Sequence, residues 1–219
     1  MNSSFLNVNV DVWVFDNDGT LYPCHRIHQY IVTLMVKYVV NLYQVTADEA
    51  KKIIETLKKK HETNYTYVAM LHEGIDVKRF IEETYLAARP EEFGINPNPK
   101  LLTTLEMLSG DKYLMTNNPE AYARMILDAL GLQSVFNDVW GMEKLNYYPK
   151  STGGVFRSFT AFIGLNRTIA LVDDMLINLK EAKRYGWKTF WFSLDDVDPP
   201  GYVDCVINSL VVEDDYEVV

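Results

Sequence analysis

The chain has little that would tie it to a nucleic acid, a membrane or a disulfide framework. It holds two cysteines, Cys24 and Cys205, far apart in sequence, and these read as reduced thiols of a cytosolic protein. Basic residues are in deficit, with 21 Lys and Arg against 30 Asp and Glu, a net charge of −9 and a sequence pI near 4.9. That balance excludes a protein that reads a nucleic-acid backbone through a basic stripe. It leaves a small anionic substrate open, because one local cation site outweighs a diffuse negative field. There is no long apolar run. The longest such stretch, Ile27 to Leu42, is interrupted by Lys37 and other polar residues and is too short to span a bilayer. Met1 to Asn9 carries neither a basic region nor an apolar one, so no secretory signal is expected there. Repeats and low-complexity segments are absent. The expectation is a cytoplasmic monomer or homodimer that engages neither nucleic acid nor membrane.

Hydrophobic residues make up 48% of 219, enough for one packed α/β core and a smaller inserted domain. Short apolar runs alternate with helical periodicity, the pattern of a mostly parallel sheet flanked by helices. Strands are expected at Val10–Phe15, Lys112–Met115, Asp138–Met142, Thr168–Val172, Lys188–Phe192 and Tyr202–Ile207. Helices are expected at Lys100–Leu108, Pro119–Leu130 ended by Gly131, Thr152–Ile163 and Leu176–Tyr185. No strand pattern occurs between Pro23 and Pro97. That stretch reads as helical throughout. Ile27, Ile31, Leu34, Tyr38 and Leu42 share a helix face. Thr46 and Glu49 form a capping box for a helix to about Lys60, and Tyr65–Leu71 forms another. Asp76 caps a helix to about Ala88, stopped by Arg89-Pro90. The predicted architecture is a Rossmann-like α/β core, residues 1–22 and 98–219, with a helical cap inserted at 23–97. Turn-rich crossings at Tyr22-Pro23 and Asn96 to Pro99 serve as the hinge. The acidic end, Glu213 to Glu217, reads as solvated.

Four strand ends carry polar groups suited to one chemistry. Asp16 and Asp18 follow the first strand, Thr116-Asn117-Asn118 the second, Lys150 the third and Asp173-Asp174 the fourth. In an open parallel sheet these emerge along one edge, where ligands bind. Three carboxylates in one cavity repel by about 4 kcal/mol per pair at ~4 Å and an effective dielectric of ~20, so the cluster must take up a cation or protons. Ligands that are all oxygen favour Mg²⁺ over Zn²⁺. Asp16 is then placed to attack phosphorus. Asp18 is placed to protonate the leaving oxygen and later to deprotonate water. The Thr116 hydroxyl, Asn117 and Lys150 are placed to hold phosphoryl oxygens. Gly19 lets the backbone turn closely beside them.

Asp16-x-Asp18-Gly-Thr-Leu, Thr116, Lys150 and Asp173-Asp174, in that order, resemble the four motifs of the haloacid dehalogenase-like (HAD) superfamily. The helical insertion after the first motif resembles that family's first type of cap, so the likeness covers the whole chain. It implies that Asp16, the Asp18 backbone carbonyl and Asp174 bind Mg²⁺, with Asp173 at the metal site indirectly, behind those ligands or through water. The family often has a further Asp four residues past Asp174, where this chain has Asn178. Leu21-Tyr22-Pro23 is most similar to the pyrimidine 5′-nucleotidase branch. The implied activity is a phosphomonoesterase acting on a small phosphorylated metabolite, such as a nucleoside 5′-monophosphate, through an aspartyl-phosphate. A sugar phosphomutase keeps the same residues. A 2-haloacid dehalogenase needs neither metal nor a second acid, and Asp18 counts against it. A non-catalytic module would have lost a motif residue.

Other features have plainer readings. His25 and His28 lie on a polar helix face. Tyr65 and Tyr67 pack between helices, and Lys58-Lys59-Lys60 is a solvated face. Cys24 lacks a His partner that would make it a nucleophile. Lys144 competes with Lys150, but Pro149 before Lys150 fits the family pattern better.

Overall fold

The computed structural model describes residues 3–152, 154–195 and 197–211; Gly153 and the acidic end at 213–217 lie outside them. The described residues form a six-stranded, all-parallel sheet in the order β3-β2-β1-β4-β5-β6. The strands are β1 (Val12–Phe15), β2 (Asp111–Met115), β3 (Asp138–Trp140), β4 (Ile169–Asp173), β5 (Lys188–Phe192) and β6 (Cys205–Ile207). The chain runs outward from β1 to β3, then returns to the other side of β1 with β4. The order therefore reverses between β1 and β4, the crevice where open α/β sheets take ligands.

The chain divides into two compact units, Cys24–Gly94 and the remainder. The helical unit contains α1 (His25–Tyr43), α2 (Ala47–Lys60), α3 (Thr66–His72), α4 (Val77–Glu83) and a 3₁₀ turn at Pro90–Phe93. The Thr46–Glu49 capping box is formed in both directions. Asp76 caps α4 through the Arg79 N–H. That helix stops at Glu83 rather than near Ala88. The buried Thr84 hydroxyl donates back to the Phe80 carbonyl at 2.6 Å, and Leu86 N–H reaches Ile81 O, which closes the last turn early. Inside the unit Tyr38 packs edge-on against Phe80, and Tyr67 against Tyr85.

The sheet unit adds α5 (Pro99–Met107), α6 (Glu120–Leu130), α7 (Val155–Ile163) and α8 (Leu176–Arg184). All four residues of β1 are fully buried, as a central parallel strand requires. On one sheet face Trp13, Phe15 and Phe190 cluster with Phe5 and Phe136. On the other, Tyr113 and Trp140 meet Phe159 and Phe162 of α7. β1 begins two residues later than its apolar run. The reason is Asp11, whose carboxylate accepts the Thr168 N–H and hydroxyl at 2.7 and 2.8 Å and so fastens the start of β4. The segment from Lys150 to Thr152 is a turn, and α7 starts only at Val155. No helix among the described residues is long and apolar enough to cross a membrane.

Candidate active site

Because every strand is parallel, the ends of β1 to β4 open on one edge, and the polar residues converge there. Asp16 leaves β1 with its N–H on the Val172 carbonyl of β4 at 2.9 Å. Asp173 closes β4, and Asp174 follows it with its carbonyl held by the Trp191 indole at 3.0 Å. Asp16, Asp173 and Asp174 each place a carboxylate oxygen within 4.8 Å of the others, the geometry of a metal-holding group.

Lys150 reaches into this cluster and is itself fully buried. Its ammonium bonds the Asp16 Oδ1, the Asp173 Oδ2 at 2.7 Å and the Met115 carbonyl at 3.1 Å. Burial works against its charge, but Asp16 and Asp173 hold it above the ordinary lysine range. One ammonium faces three carboxylates, so positive charge is short. Burial, then Asp173, Asp18 and Asp174, push Asp16 well above the carboxylate range against the pull of Lys150. Burial first and Asp173 next push Asp174 up to about 6. A second cation is what would let both acids ionise together.

The donor set fits a hard divalent ion. Asp173 has little left to offer it. Its Oδ1 accepts Met175 N–H at 2.8 Å and Asn178 Nδ2 at 3.0 Å, and its Oδ2 accepts Lys150 and, at 3.1 Å, Asn178 again. Asn178, in place of a further acid, thus turns Asp173 into the group that positions Lys150. Asp174 is free of such saturation, and it lies against the Gly19 turn. Gly19 has φ +85°, and a Cβ there would come within 2.5 Å of the Asp174 Oδ2, so glycine is required for two separate reasons.

The remaining residues surround Asp18. Its Oδ2 accepts Asn118 Nδ2 at 2.8 Å and Asn17 Nδ2 at 3.3 Å, and lies 3.5 Å from the Thr116 hydroxyl. Its Oδ1 accepts the Tyr22 hydroxyl. Thr116 Oγ also accepts the Asn118 N–H at 3.1 Å. Asn117 Oδ1 accepts the Lys150 N–H at 2.8 Å, which ties the loop after β2 to the one after β3. The sequence places Asn118 among the polar strand-end residues without a role of its own, and gives no role at the site to Tyr22, Tyr122 or the Met115 carbonyl. Only the placement of Asn118 two residues past Thr116 hinted at any of them.

The competing features fall elsewhere. Lys144 is fastened to the Asp138 carboxylate at 2.7 and 2.8 Å and to Val139 O. His25 is exposed at the start of α1. His61 stacks on His72 and bonds Glu73. Tyr67 is fully buried in the helical unit. Neither cysteine is in a disulfide.

Solved structures share this fold. A HAD phosphatase from Thermococcus onnurineus superposes with a TM-score of 0.62 at 18% identity, over 91% of this chain and 94% of that one. A 2-haloacid dehalogenase from Pseudomonas syringae pv. Tomato DC3000 gives 0.60 at 17%, over 92% and 95%. YfnB of Bacillus subtilis, solved bound to magnesium, gives 0.57 at 16%, over 93% and 96%. No protein-family model matches the chain, and no curated protein matches it significantly in sequence. The fold is that of the haloacid dehalogenase-like hydrolases, an α/β parallel sheet with a helical insertion after its first strand.

Proposed function

We propose that the protein is a Mg²⁺-dependent phosphomonoesterase in which Asp16 is the nucleophile and Asp18 the general acid and base. The observation that carries this is the Asp16 carboxylate, buried at the β1–β4 switch point against the Lys150 ammonium, with a second carboxyl group two residues on. Asp16, Asp174 and the Asp18 carbonyl would hold the ion. When bound, it would offset the surplus negative charge and polarise the phosphoryl oxygens. Lys150 orients Asp16 and neutralises part of its charge. The Thr116 hydroxyl would hold a phosphoryl oxygen. Asp16 forms the bond to phosphorus as the ester oxygen leaves with a proton from Asp18. Water then cleaves the aspartyl-phosphate as Asp18 takes the proton back.

Asp18 favours phosphoryl chemistry over dehalogenation, which has no leaving alcohol to protonate. The magnesium in the YfnB structure and the phosphatase among the structural neighbours support the same reading. We take the substrate to be a small phosphorylated metabolite, with a nucleoside 5′-monophosphate first among candidates because of Leu21-Tyr22-Pro23, and the helical unit to act as the cap that selects it. The purified chain should release phosphate from p-nitrophenyl phosphate only when Mg²⁺ is supplied, and Asp16→Asn should reduce the rate to background. Activity surviving in that variant removes Asp16 as the nucleophile.

A further inference from the structure

Asp18 is held at both of its oxygens, and Oδ1 is held by a buried pair of tyrosines. The Tyr22 hydroxyl donates to Oδ1, and the Tyr22 oxygen lies 2.9 Å from the Tyr122 hydroxyl. A phenol has one proton to give. With the Tyr22 proton committed to Asp18, Tyr122 donates to Tyr22, and the three groups form a one-way chain. Both rings are buried, at 5% and 0% exposure, so water does not compete for these bonds.

The chain exists because a short loop folds back on itself. Leu21 N–H reaches Asn17 O at 2.9 Å, and Gly19 N–H reaches Tyr22 O at 3.1 Å. That closure pairs Tyr22 with Asp18, four residues earlier. Tyr122 comes from α6, which follows β2. The anchor therefore ties the loop after β1 to a helix that packs in the same unit as the sheet, a rigid support. The other oxygen, Oδ2, accepts Asn118 and Asn17 and lies beside the Thr116 hydroxyl, which is assigned above to a phosphoryl oxygen.

We propose that Tyr22, backed by Tyr122, is a positioning residue that anchors Asp18 by Oδ1 and so holds Oδ2 turned toward Thr116, where it transfers the proton. In the first step the O–H bond at Oδ2 breaks and its proton passes to the leaving oxygen, as the P–O bond to the alcohol breaks and the Asp16–phosphorus bond forms. In the second, Oδ2 takes a proton from water as the water oxygen bonds phosphorus and the Asp16–phosphorus bond breaks. Asp16 is returned as a carboxylate and Asp18 as an acid. The inference rests on the phosphomonoesterase reading.

The alternative is that the two tyrosines merely fill the loop. Leaving-group chemistry separates the two. An alkyl alcohol leaves with difficulty unless protonated, whereas p-nitrophenolate leaves readily without a proton. The value of kcat/KM reports the steps through phosphoryl transfer, so slow breakdown of the aspartyl-phosphate does not obscure it. Tyr22→Phe keeps the ring and removes the anchor. Its kcat/KM for glycerol 2-phosphate should fall by roughly tenfold or more beyond any fall for p-nitrophenyl phosphate. Tyr122→Phe leaves the Tyr22–Asp18 bond in place and should shift the same ratio in the same direction by a smaller factor. An unchanged ratio in Tyr22→Phe, whether both substrates suffer alike or neither does, overturns the proposal. Asp16→Asn in the same assays keeps the two questions apart: if it is dead, an unchanged ratio condemns the anchor alone, and if it is active, Asp16 falls as the nucleophile and the two-step scheme that uses the anchor falls with it.

Discussion

The site depends most on two residues that carry no acid. Among the described residues Lys150 is the cation that meets this acidic cluster, paired with Asp16 and Asp173, and a buried ammonium survives there only because two carboxylates meet it directly. Gly19 is the other. Its positive φ is unfavourable for any L side chain, at a cost of about 1–3 kcal/mol, and the Asp174 carboxylate stands where a Cβ would go. Gly19→Ala should therefore lower the unfolding free energy by at least about 1 kcal/mol and raise the Mg²⁺ concentration needed for half-maximal activity. Thermal unfolding and a Mg²⁺ titration check this, and a variant indistinguishable from the parent in both would mean Asp174 lies elsewhere. The acids and Gly19 were legible because they sit in a contiguous motif or pair. Tyr122 was not. Its link to Asp18 spans about a hundred residues and passes through Tyr22, and no local pattern encodes such a contact.

Among the elements, ends governed by local hydrogen bonding were the readable ones. The Thr46–Glu49 box opens α2 where two matched residues permit it. Gly131 ends α6 in the left-handed conformation. Ends set by tertiary contacts drifted, as in β1, where Asp11 leaves the strand to fasten Thr168, and in α7, whose start is displaced past the Lys150 turn. The short edge strand β6 is secured by the residue that precedes it. Asp204 accepts Lys183 Nζ at 2.5 and 2.7 Å, Thr189 N–H at 2.8 Å and the Thr189 hydroxyl at 3.0 Å. Burial opposes its charge, but the bonds from Lys183 and Thr189 outweigh that and hold its carboxyl below the usual range. A folded pKa below the unfolded value gives stability that is present above the unfolded pKa and lost as pH falls through the folded one. Denaturant unfolding of the parent and of Asp204→Asn should thus differ by a constant amount near neutrality. The gap should close as pH drops below about 4. A gap that stays level down to pH 2 would mean the ionised carboxylate contributes nothing.

For the molecule as a whole, the alternation of strand and helix made the parallel sheet and the helical insertion legible. The strand order was a different matter. That β4 returns beside β1 is a pairing between segments far apart in sequence, and it alone makes Asp16 and Asp174 neighbours. The catalytic account rests on that neighbourhood, because a phosphate dianion can approach Asp16 only where its charge is offset by Lys150 and an ion shared with Asp174. A covalent phosphoryl group on Asp16 is thus the central claim. Rapid acid quench of the Mg²⁺-loaded protein during turnover of a ³²P-labelled phosphomonoester, followed by peptide mass spectrometry, tests it most directly. A base-labile label is expected on the peptide bearing Asp16 and absent from Asp16→Asn. Turnover with no labelled peptide, or with the label on another residue, would contradict it.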